Sequence, residues 1–210
     1  MSFKPFFKLL AAPAVGLFAL AGQASGAAID FSTRAIDMGV NSADYRASYQ
    51  AQTSAVTTQS LPAFTNIVSG NNSFAYLAID FTVGGAYAGA NFGFQVAADA
   101  GYGGALYLDG VKVDVDTSDL WWGLDWNAIS ELLQANNLTS FTGSHTLEAY
   151  WAEGCCAGGQ SARFTTDGGL TYREMSVANL AALNVPEPGT LAIVGLGLVA
   201  LGSMRRRQAS

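Results

Sequence analysis

Positive charge is scarce in this sequence. Only 12% of the 210 residues are charged, and 16 Asp and Glu residues outnumber 10 Lys and Arg residues. Half of the basic residues lie in the terminal segments, as Lys4, Lys8 and Arg205 to Arg207, so the chain between these segments is strongly acidic. A surface of that charge is repelled by phosphate backbones, which excludes a nucleic-acid-binding function.

Histidine is also scarce, and this limits the catalytic sites that the chain can build. A Ser-His-Asp hydrolase would have to use His145, the single histidine, yet its neighbour Ser144 would point to the opposite face of a strand. No Gly-x-Ser-x-Gly motif is present. We therefore predict no catalytic residue. The rival hypothesis is a polysaccharide hydrolase that uses Glu148, Glu153 or His145, although the sequence does not fix the separation of the two carboxylates.

The only two cysteines are adjacent, as Cys155 and Cys156 in the segment GCCAGG. Consecutive Cα atoms lie about 3.8 Å apart, below the usual disulfide range of about 4.4 to 6.8 Å, so a bond between them would strain the turn. In an oxidising compartment a vicinal disulfide can still form, and we favour it. Links to other chains, free thiols and a metal site are the alternatives.

The N-terminal segment MSFKPFFKLLAAPAVGLFALAGQASGAA predicts a secretory signal peptide. Lys4 and Lys8 precede an apolar run, and small residues suited to signal peptidase follow it. Cleavage after Gly26 and cleavage after Ala27 fit equally well. A buried N-terminal helix is the alternative, but the proline and the glycines inside the run argue against it. We place the signal peptide at residues 1–27 and the folded body at residues 28–184.

The C-terminal segment, residues 185–210, carries an apolar run from Gly189 to Met204 that contains no charge. This run is shorter than the roughly 20 residues that cross a bilayer comfortably, so it would span only marginally. Basic residues beside such a run stay on the cytoplasmic side, which would leave the body outside. Three of them follow directly: Arg205, Arg206 and Arg207.

The residues before this run are Pro186, Glu187, Pro188 and Gly189, in which the two prolines favour an extended backbone. The order of triplet, short glycine-rich apolar run and arginine cluster closely resembles the PEP-CTERM sorting signal of exported bacterial proteins. The resemblance implies that an exosortase, a membrane-embedded transpeptidase-like enzyme, recognises the triplet and removes or exchanges the helix. The segment CCAG also resembles the CCXG-type subgroup of these proteins. A plain tail anchor or a docking helix is the alternative.

The body alternates short aromatic or β-branched runs with glycine-rich breaks. The runs SFAYLAIDFTV, ANFGFQVAAD, GALYLDGVKVDV, HTLEAYWA and SARFTT predict an all-β fold, a single jelly-roll-like β-sandwich. Asp109 and Gly110 predict a type I′ hairpin turn. Asn127 is suited to cap one short helix with Ile129, Leu132 and Leu133 on one face. Residues 28–60 indicate an edge strand or a loosely held segment.

Two segments, DAGYGGALYLDGVKV and GSHTLEAYWAEGCCAGGQ, resemble the fibro-slime and protective-antigen type β-sandwich modules of cell-surface proteins. The resemblance implies the same fold. In sugar-binding members a paired aspartate loop holds calcium, whereas here Ala98 precedes Asp99 and the pair is missing. The matching residues are Asp99, Leu106, Tyr107, Asp109 and Gly110, followed by Gly143, His145, Leu147, Tyr150 or Trp151, and Glu153.

Two further groups of residues are candidates for ligand binding. The segment DVDTSD places three carboxylates close together, which is the ligand type that calcium prefers, although an EF-hand spacing is absent. The segment LWWGLDW offers indoles that could stack on a sugar ring. For both groups the alternative is structural, a solvated strand end and a packed core respectively. The tentative calcium ligands are Asp114, Asp116 and Asp119, and the tentative sugar-stacking residues are Trp121, Trp122 and Trp126.

These features together predict an exported, membrane-sorted surface protein. Its body would act as a non-enzymatic structural or carbohydrate-binding module in the cell envelope or the extracellular polysaccharide matrix. The expected partners are signal peptidase, an exosortase, extracellular polysaccharide and, before processing, the inner membrane. Calcium is the one cofactor that the acidic segment would allow.

Overall fold

The computed structural model describes residues 26–184 and the single residue Leu196. The predicted signal segment up to residue 25 and the predicted sorting segment from residue 185, Leu196 apart, lie outside the described residues. Within the described residues, no helix combines the length and the apolar character that crossing a membrane requires.

Residues 26–184 form strands joined by short turns, with two short α-helices. The strands are β1 Ala28–Ala35, β2 Thr57–Ser60, β3 Ser73–Val83, β4 Phe92–Ala97, β5 Asp99–Ala100, β6 Gly104–Leu108, β7 Val111–Asp116, β8 Leu120–Trp121, β9 Leu133–Leu138, β10 Gly143–Glu153, β11 Ser161–Thr165 and β12 Arg173–Glu174. The α-helices are α1 Tyr45–Ala51 and α2 Val177–Ala181, and single 3-10 turns occur at Gly85–Tyr87 and Ile129–Glu131.

The strands assemble into two main antiparallel sheets. The larger sheet has the order β2-β1-β3-β10-β6-β7, the smaller sheet has the order β12-β11-β4-β9, and β5 pairs with β8 in a separate ribbon. This architecture is an all-β sandwich, which confirms the predicted fold class.

The main core lies between the two sheets. Alternate residues of β3 point inward, as the period of two in a strand requires, and Leu77, Ile79 and Phe81 are buried there. Phe94 of the smaller sheet lies against Phe81 with ring centroids 5.5 Å apart. Aliphatic and aromatic side chains from the inner faces of both sheets therefore form one continuous cluster.

Helix α1 covers the outer face of the larger sheet. The Asp44 carboxylate accepts a hydrogen bond from the Ala47 amide at 3.0 Å and so caps the helix. Tyr49 packs against Phe74 and Tyr150 of the sheet. The helix buries a second, smaller aromatic cluster and gives the larger sheet a packed side chain layer on both faces.

The tight hairpin between β6 and β7 forms where the sequence predicts it. Asp109 and Gly110 have φ angles of 51° and 80°, the left-handed values that a type I′ turn requires at both central positions. The Asp109 carboxylate also accepts a hydrogen bond from the Thr146 amide at 2.9 Å and lies 2.8 Å from His145 Nδ1. The turn is thereby fastened to the neighbouring strand β10.

One sequence-based expectation is wrong. The helix predicted around residues 127–133 is only the 3-10 turn Ile129–Glu131, after which Leu133 begins β9. Of the two alternatives for residues 28–60, the edge strand is confirmed, because β2 lies at the edge of the larger sheet, while β1 pairs with β2 on one side and with β3 over its whole length on the other. That segment also contains α1, which the sequence analysis did not predict.

The C-terminal end of the body is fastened to the sandwich. Ser176 caps α2 by accepting a hydrogen bond from the Asn179 amide at 3.2 Å. Just after the helix, the Leu183 carbonyl accepts a hydrogen bond from the Gly84 amide, beyond the end of β3, at 2.8 Å. Backbone hydrogen bonds therefore tie the chain to the sandwich as far as Leu183.

Candidate functional site

A cavity of about 560 Å³ opens where the β5–β8 ribbon meets the loop that follows β10. This volume is in the range of small-ligand sites. We call the cavity the loop pocket, and its lining residues are Asp99, Gly101, Tyr102, Asp119, Trp121, Glu153, Gly154, Cys155 and Cys156.

Asp99 lies on the ribbon and is one of two buried carboxyl groups in the loop pocket. Its residue surface is only 8% exposed, and its carboxylate accepts a hydrogen bond from the Gly158 amide. Burial raises the pKa of this carboxyl above its usual value of 3.8, because removal from water disfavours the charged form.

Glu153 supplies the second buried carboxyl group and is the last residue of β10. It is 3% exposed, and its Oε2 atom accepts a hydrogen bond from the Gly101 amide at 2.9 Å. Burial first, and the nearby charge of Asp99 to a lesser degree, raise the pKa of Glu153 above its usual value of 4.5. Among the described residues no basic side chain forms an ion pair with Asp99 or Glu153. The pocket therefore presents two carboxyl groups whose remaining acceptor positions are open to a ligand.

Trp121 forms the exposed wall of the loop pocket. Asp99 and Trp121 are direct partners across the ribbon, so their side chains project from the same face. The Trp121 backbone amide donates a hydrogen bond to the Glu131 carboxylate at 2.7 Å. The residue as a whole is 73% exposed. An aromatic surface thus stands beside buried hydrogen-bond acceptors.

The three predicted tryptophans do not form one cluster. Trp122 follows Trp121 in sequence but turns to the opposite side, where it is 4% exposed and packs against Ala97 and Leu132. Trp126 lies 4.7 Å from Trp122, measured between ring centroids. Only Trp121 lines the loop pocket, while Trp122 and Trp126 line a different cavity.

Cys155 and Cys156 lie at the rim of the loop pocket as exposed free thiols. Their Sγ atoms are 2.7 Å apart, and Cys156 has a left-handed φ of 69°. The Cys156 thiol raises the pKa of Cys155, mainly through the hydrogen bond between the two groups. The vicinal disulfide stays a prediction, and the structure places the pair where its oxidation state would change one wall of the pocket.

The three predicted calcium ligands are engaged separately. Asp114 accepts hydrogen bonds from the amides of Val115 and Gln134, and Asp116 accepts them from the Ser118 amide and hydroxyl. Asp119 alone lines the loop pocket. Within residues 26–184, no group of three or more His, Cys, Asp or Glu side chains is arranged to hold a metal ion.

The residues named for a hydrolase lie in three separate places. Glu148 forms a 2.6 Å ion pair with Arg46 beneath α1, and His145 lies beside Asp109 at the hairpin. Glu153 belongs to the loop pocket, eight positions along β10 from His145, which corresponds to about 27 Å along a strand. The three side chains therefore do not share a site.

The pairing of Asp99 with Glu153 is the part of the site that the sequence analysis missed. Both residues occur in the two segments that resemble the surface-protein modules, but they are 54 positions apart in the chain. The sequence feature that could have indicated this pairing is a glycine near each carboxyl residue, Gly101 and Gly154, because small residues let the two loops approach closely.

The buried carboxyl groups should give stability a distinctive pH dependence. Because the folded protein binds the protons of Asp99 and Glu153 more tightly than the unfolded chain does, their contribution is greatest at low pH and is lost as pH rises through the raised folded values. We expect Asp99→Asn to be more stable than the wild type at about pH 7, with the difference shrinking toward zero below the unfolded pKa, at about pH 3. Urea unfolding of both proteins across this range measures the difference.

Asp167→Asn is the matched control for this prediction. The Thr165 and Thr171 hydroxyls hold the pKa of Asp167 well below its usual range, so its carboxylate favours the folded state above the unfolded pKa and loses that contribution as pH falls. We expect Asp167→Asn to be less stable than the wild type at about pH 7, the opposite sign. Equal effects of the two substitutions would contradict the assignment of raised pKa values to the loop pocket.

The C-terminal segment matches a family model described as the PEP-CTERM protein-sorting motif over residues 184–207. This range contains the Pro186-Glu187-Pro188 triplet and the three arginines. The chain carries a PEP-CTERM sorting motif. The motif implies export with processing by an exosortase and membrane anchoring in transit, and it confirms the resemblance stated for this segment.

Comparison with curated proteins gives no match for this PEP-CTERM chain. Solved structures similar to it include the PA14 domain of the MpAFP antifreeze protein, with 13% identity, 72% of this chain and 87% of that chain covered, and a TM-score of 0.48. The PA14 sugar-binding domain from an RTX adhesin has 13% identity, coverages of 73% and 97%, and a TM-score of 0.49. The epithelial adhesin 9 A domain from Candida glabrata, in complex with Galβ1-4GlcNAc, has 9% identity, coverages of 70% and 88%, and a TM-score of 0.45. At these identities the likeness concerns the fold alone.

Proposed function

We propose that this protein is exported and processed through its PEP-CTERM motif, and that its sandwich acts at the cell surface or in the extracellular matrix as a non-enzymatic carbohydrate-binding module. Trp121 carries the proposal. A largely exposed indole stands on the same face of a two-stranded ribbon as the buried carboxyl group of Asp99. Sugar rings present apolar C–H faces and hydroxyl donors, which suit an indole and a carboxylate respectively.

The buried carboxyl groups support recognition of a neutral polyol. Asp99 accepts the Gly158 amide, and Glu153 accepts the Gly101 amide with the Cys155 amide also close, so each carboxylate, with about four lone-pair positions, retains acceptor capacity. A sugar hydroxyl can donate to such a group whichever of the two carboxyls is ionised. The acidic character of the pocket would repel an anionic ligand, so we assign neutral glycans to the loop pocket.

Substitution of Trp121 tests this function. We expect Trp121→Ala to weaken the binding of a neutral glycan identified on a glycan array by about two- to tenfold, because an aromatic contact contributes about 0.5–1.5 kcal/mol. Leu170→Ala is the matched control, since Leu170 is 86% exposed and does not line the loop pocket. Unchanged affinity of Trp121→Ala would remove the basis of the proposal.

The hydrolase hypothesis gives a different result in the same experiment. Two carboxyl groups in one pocket are the minimum that glycoside hydrolysis requires. If the bound glycans were cleaved, new reducing ends would accumulate with the wild type and would not accumulate with Glu153→Gln. That outcome would replace the binding module with an enzyme, whereas glycans recovered intact support the proposal.

A further inference from the structure

A second cavity, of about 510 Å³, lies on the outer face of the smaller sheet. It shares no lining residue with the loop pocket, and its lining includes the aromatic residues Trp122, Trp126 and Tyr172. Two of the five basic residues between positions 26 and 184 line it, Arg163 and Arg173. We call it the arginine cavity. Against these two arginines the lining carries one carboxylate, Glu174, so its net charge is positive in an otherwise acidic body.

Arg163 is held between aromatic rings. Its guanidinium carbon lies 4.1 Å from the ring centroid of Trp126 and 3.9 Å from that of Tyr172. Cation–π contacts of this kind fix the plane of the guanidinium and shield its faces from water. The edge of the group remains as the part that can bind a ligand.

A row of hydrogen bonds fixes the same guanidinium from one side. Gln134, Gln95 and Arg163 stand directly opposite one another on β9, β4 and β11. The Arg163 Nε atom donates to Gln95 Oε1 at 2.7 Å, and Gln95 Nε2 donates to Gln134 Oε1 at 2.9 Å. Gln134 Nε2 in turn donates to the Ile129 carbonyl at 3.0 Å. Of the Arg163 nitrogen atoms, this row of hydrogen bonds engages only Nε, and it thereby fixes the orientation of the two Nη atoms.

The two Nη atoms of Arg163 have no acceptor among residues 26–184. Glu174 is the direct partner of Arg163 across β11 and β12, yet its carboxylate accepts the Thr65 hydroxyl and lies outside ion-pair distance of both arginines. The buried Trp122 Nε1 atom, on the wall of the same cavity, also lacks an acceptor among these residues. Arg163 therefore keeps donors without an acceptor among these residues beside a cavity that the chain does not fill.

We propose that the arginine cavity binds a uronate residue of an acidic polysaccharide. The planar carboxylate matches the paired Nη donors of Arg163 in a two-point hydrogen bond, which a preoriented guanidinium favours. Trp126 and the exposed Leu124, both on the cavity lining, offer an apolar surface to the sugar ring. The site goes beyond the proposed function, because it does not require the loop pocket to bind any glycan.

Calorimetric titration of the exported protein with trigalacturonic acid tests this site. The methyl ester of the same trisaccharide is the neutral control, since it keeps the rings and removes the charge. We expect the acid to bind at least about tenfold more tightly than the ester, as the loss of a charge-assisted hydrogen bond predicts. Equal affinity of the wild-type protein for the acid and for the ester would overturn the proposal, and this test needs no variant.

Substitutions then locate the contact. We expect Arg163→Gln to weaken binding of the acid at least about tenfold and Arg163→Lys to recover only part of it, because lysine keeps the charge but lacks the planar fork. Lys112→Gln changes the net charge equally on the edge strand β7 and should leave binding unchanged. An equal loss in Lys112→Gln would show a general charge effect and contradict the site.

Two further results distinguish this proposal from recognition of a carboxylate alone and from binding in the loop pocket. Acetate that displaces the trisaccharide at equal carboxylate concentration would show that only the carboxylate is recognised, and would overturn the assignment to a sugar. Trp121→Ala should leave uronate binding intact while it weakens binding of neutral glycans. Failure of the loop pocket and failure of the arginine cavity are therefore distinguishable.

Discussion

Replacing Trp151 with alanine should cost the sandwich about 3–5 kcal/mol of unfolding free energy, the usual range for a fully buried large aromatic residue. Trp151 is entirely inaccessible on β10, and its ring lies 5.8 Å from Phe31 and 6.1 Å from Phe64 between centroids. Because these partners come from β1 and from the segment between β2 and β3, no single neighbour can collapse into the space. Urea unfolding followed by circular dichroism measures the loss.

Two variants give this prediction its controls. Trp121→Ala removes an equally large but mostly exposed side chain, so its effect on unfolding should stay near the level of an ordinary surface substitution. Trp151→Phe keeps most of the volume and also removes the Nε1 donor, which is buried without a partner among the described residues. It should therefore cost much less than alanine. Similar losses in Trp151→Ala and Trp121→Ala would show that the core is not where we place it.

Removing the sorting triplet should leave the protein almost entirely unprocessed. Substitution of Pro186, Glu187 and Pro188 by alanine keeps the length and the apolar run but removes both the fixed backbone angles and the carboxylate that define the motif. Intact-protein mass spectrometry on material from the exporting host should then find a chain that retains the residues from Met204 to Ser210. The wild type should end near Pro186.

The matched control for the triplet is its immediate neighbour. Val185→Ala changes the residue beside Pro186 and should leave the mass of the processed product lower only by the side chain difference. The same spectra report the N-terminus, where loss of 26 or 27 residues is expected in every variant. A wild-type protein that keeps Met204 would make the segment a plain anchor, and the exosortase assignment would be wrong.

The features that the sequence predicted correctly depend on neighbours in the chain. The turn at Asp109 and Gly110 needs only two residues that accept positive φ, and it forms as expected. The alternation in Leu77, Ile79 and Phe81 likewise specifies a half-buried strand without reference to its partners.

The wrong helix shows where this local information fails. Ile129, Leu132 and Leu133 have the spacing of one helical face, but Leu132 packs on the outer side of the smaller sheet and Leu133 packs into the main core. Adjacent apolar residues satisfy a strand that is covered on both faces just as well as they satisfy a helix. The packing of Trp122 and Trp126 over this segment decides between strand and helix, and that packing is a tertiary contact.

The sites were harder to predict because they depend on strand order. Asp99 and Glu153 meet through the ribbon and the end of β10, and Arg163 meets Gln95 because β11 lies beside β4. Even the tryptophan cluster divides for a simple reason. Trp121 belongs to a short strand, so its neighbour Trp122 points the other way. Composition indicated a carbohydrate-binding surface, but the fold decides which indole lies in which cavity.

The hydrogen bond from the Gly84 amide to the Leu183 carbonyl limits how far the sorting triplet can stand from the body. Two residues, Asn184 and Val185, separate Leu183 from Pro186, and the three residue steps between them reach at most about 10 Å. A body that folds before it is processed therefore lies within this distance of the triplet and blocks access to the scissile region from one side. An enzyme that cleaves there must have an open approach beside its active site, wide enough to seat a sandwich domain against it.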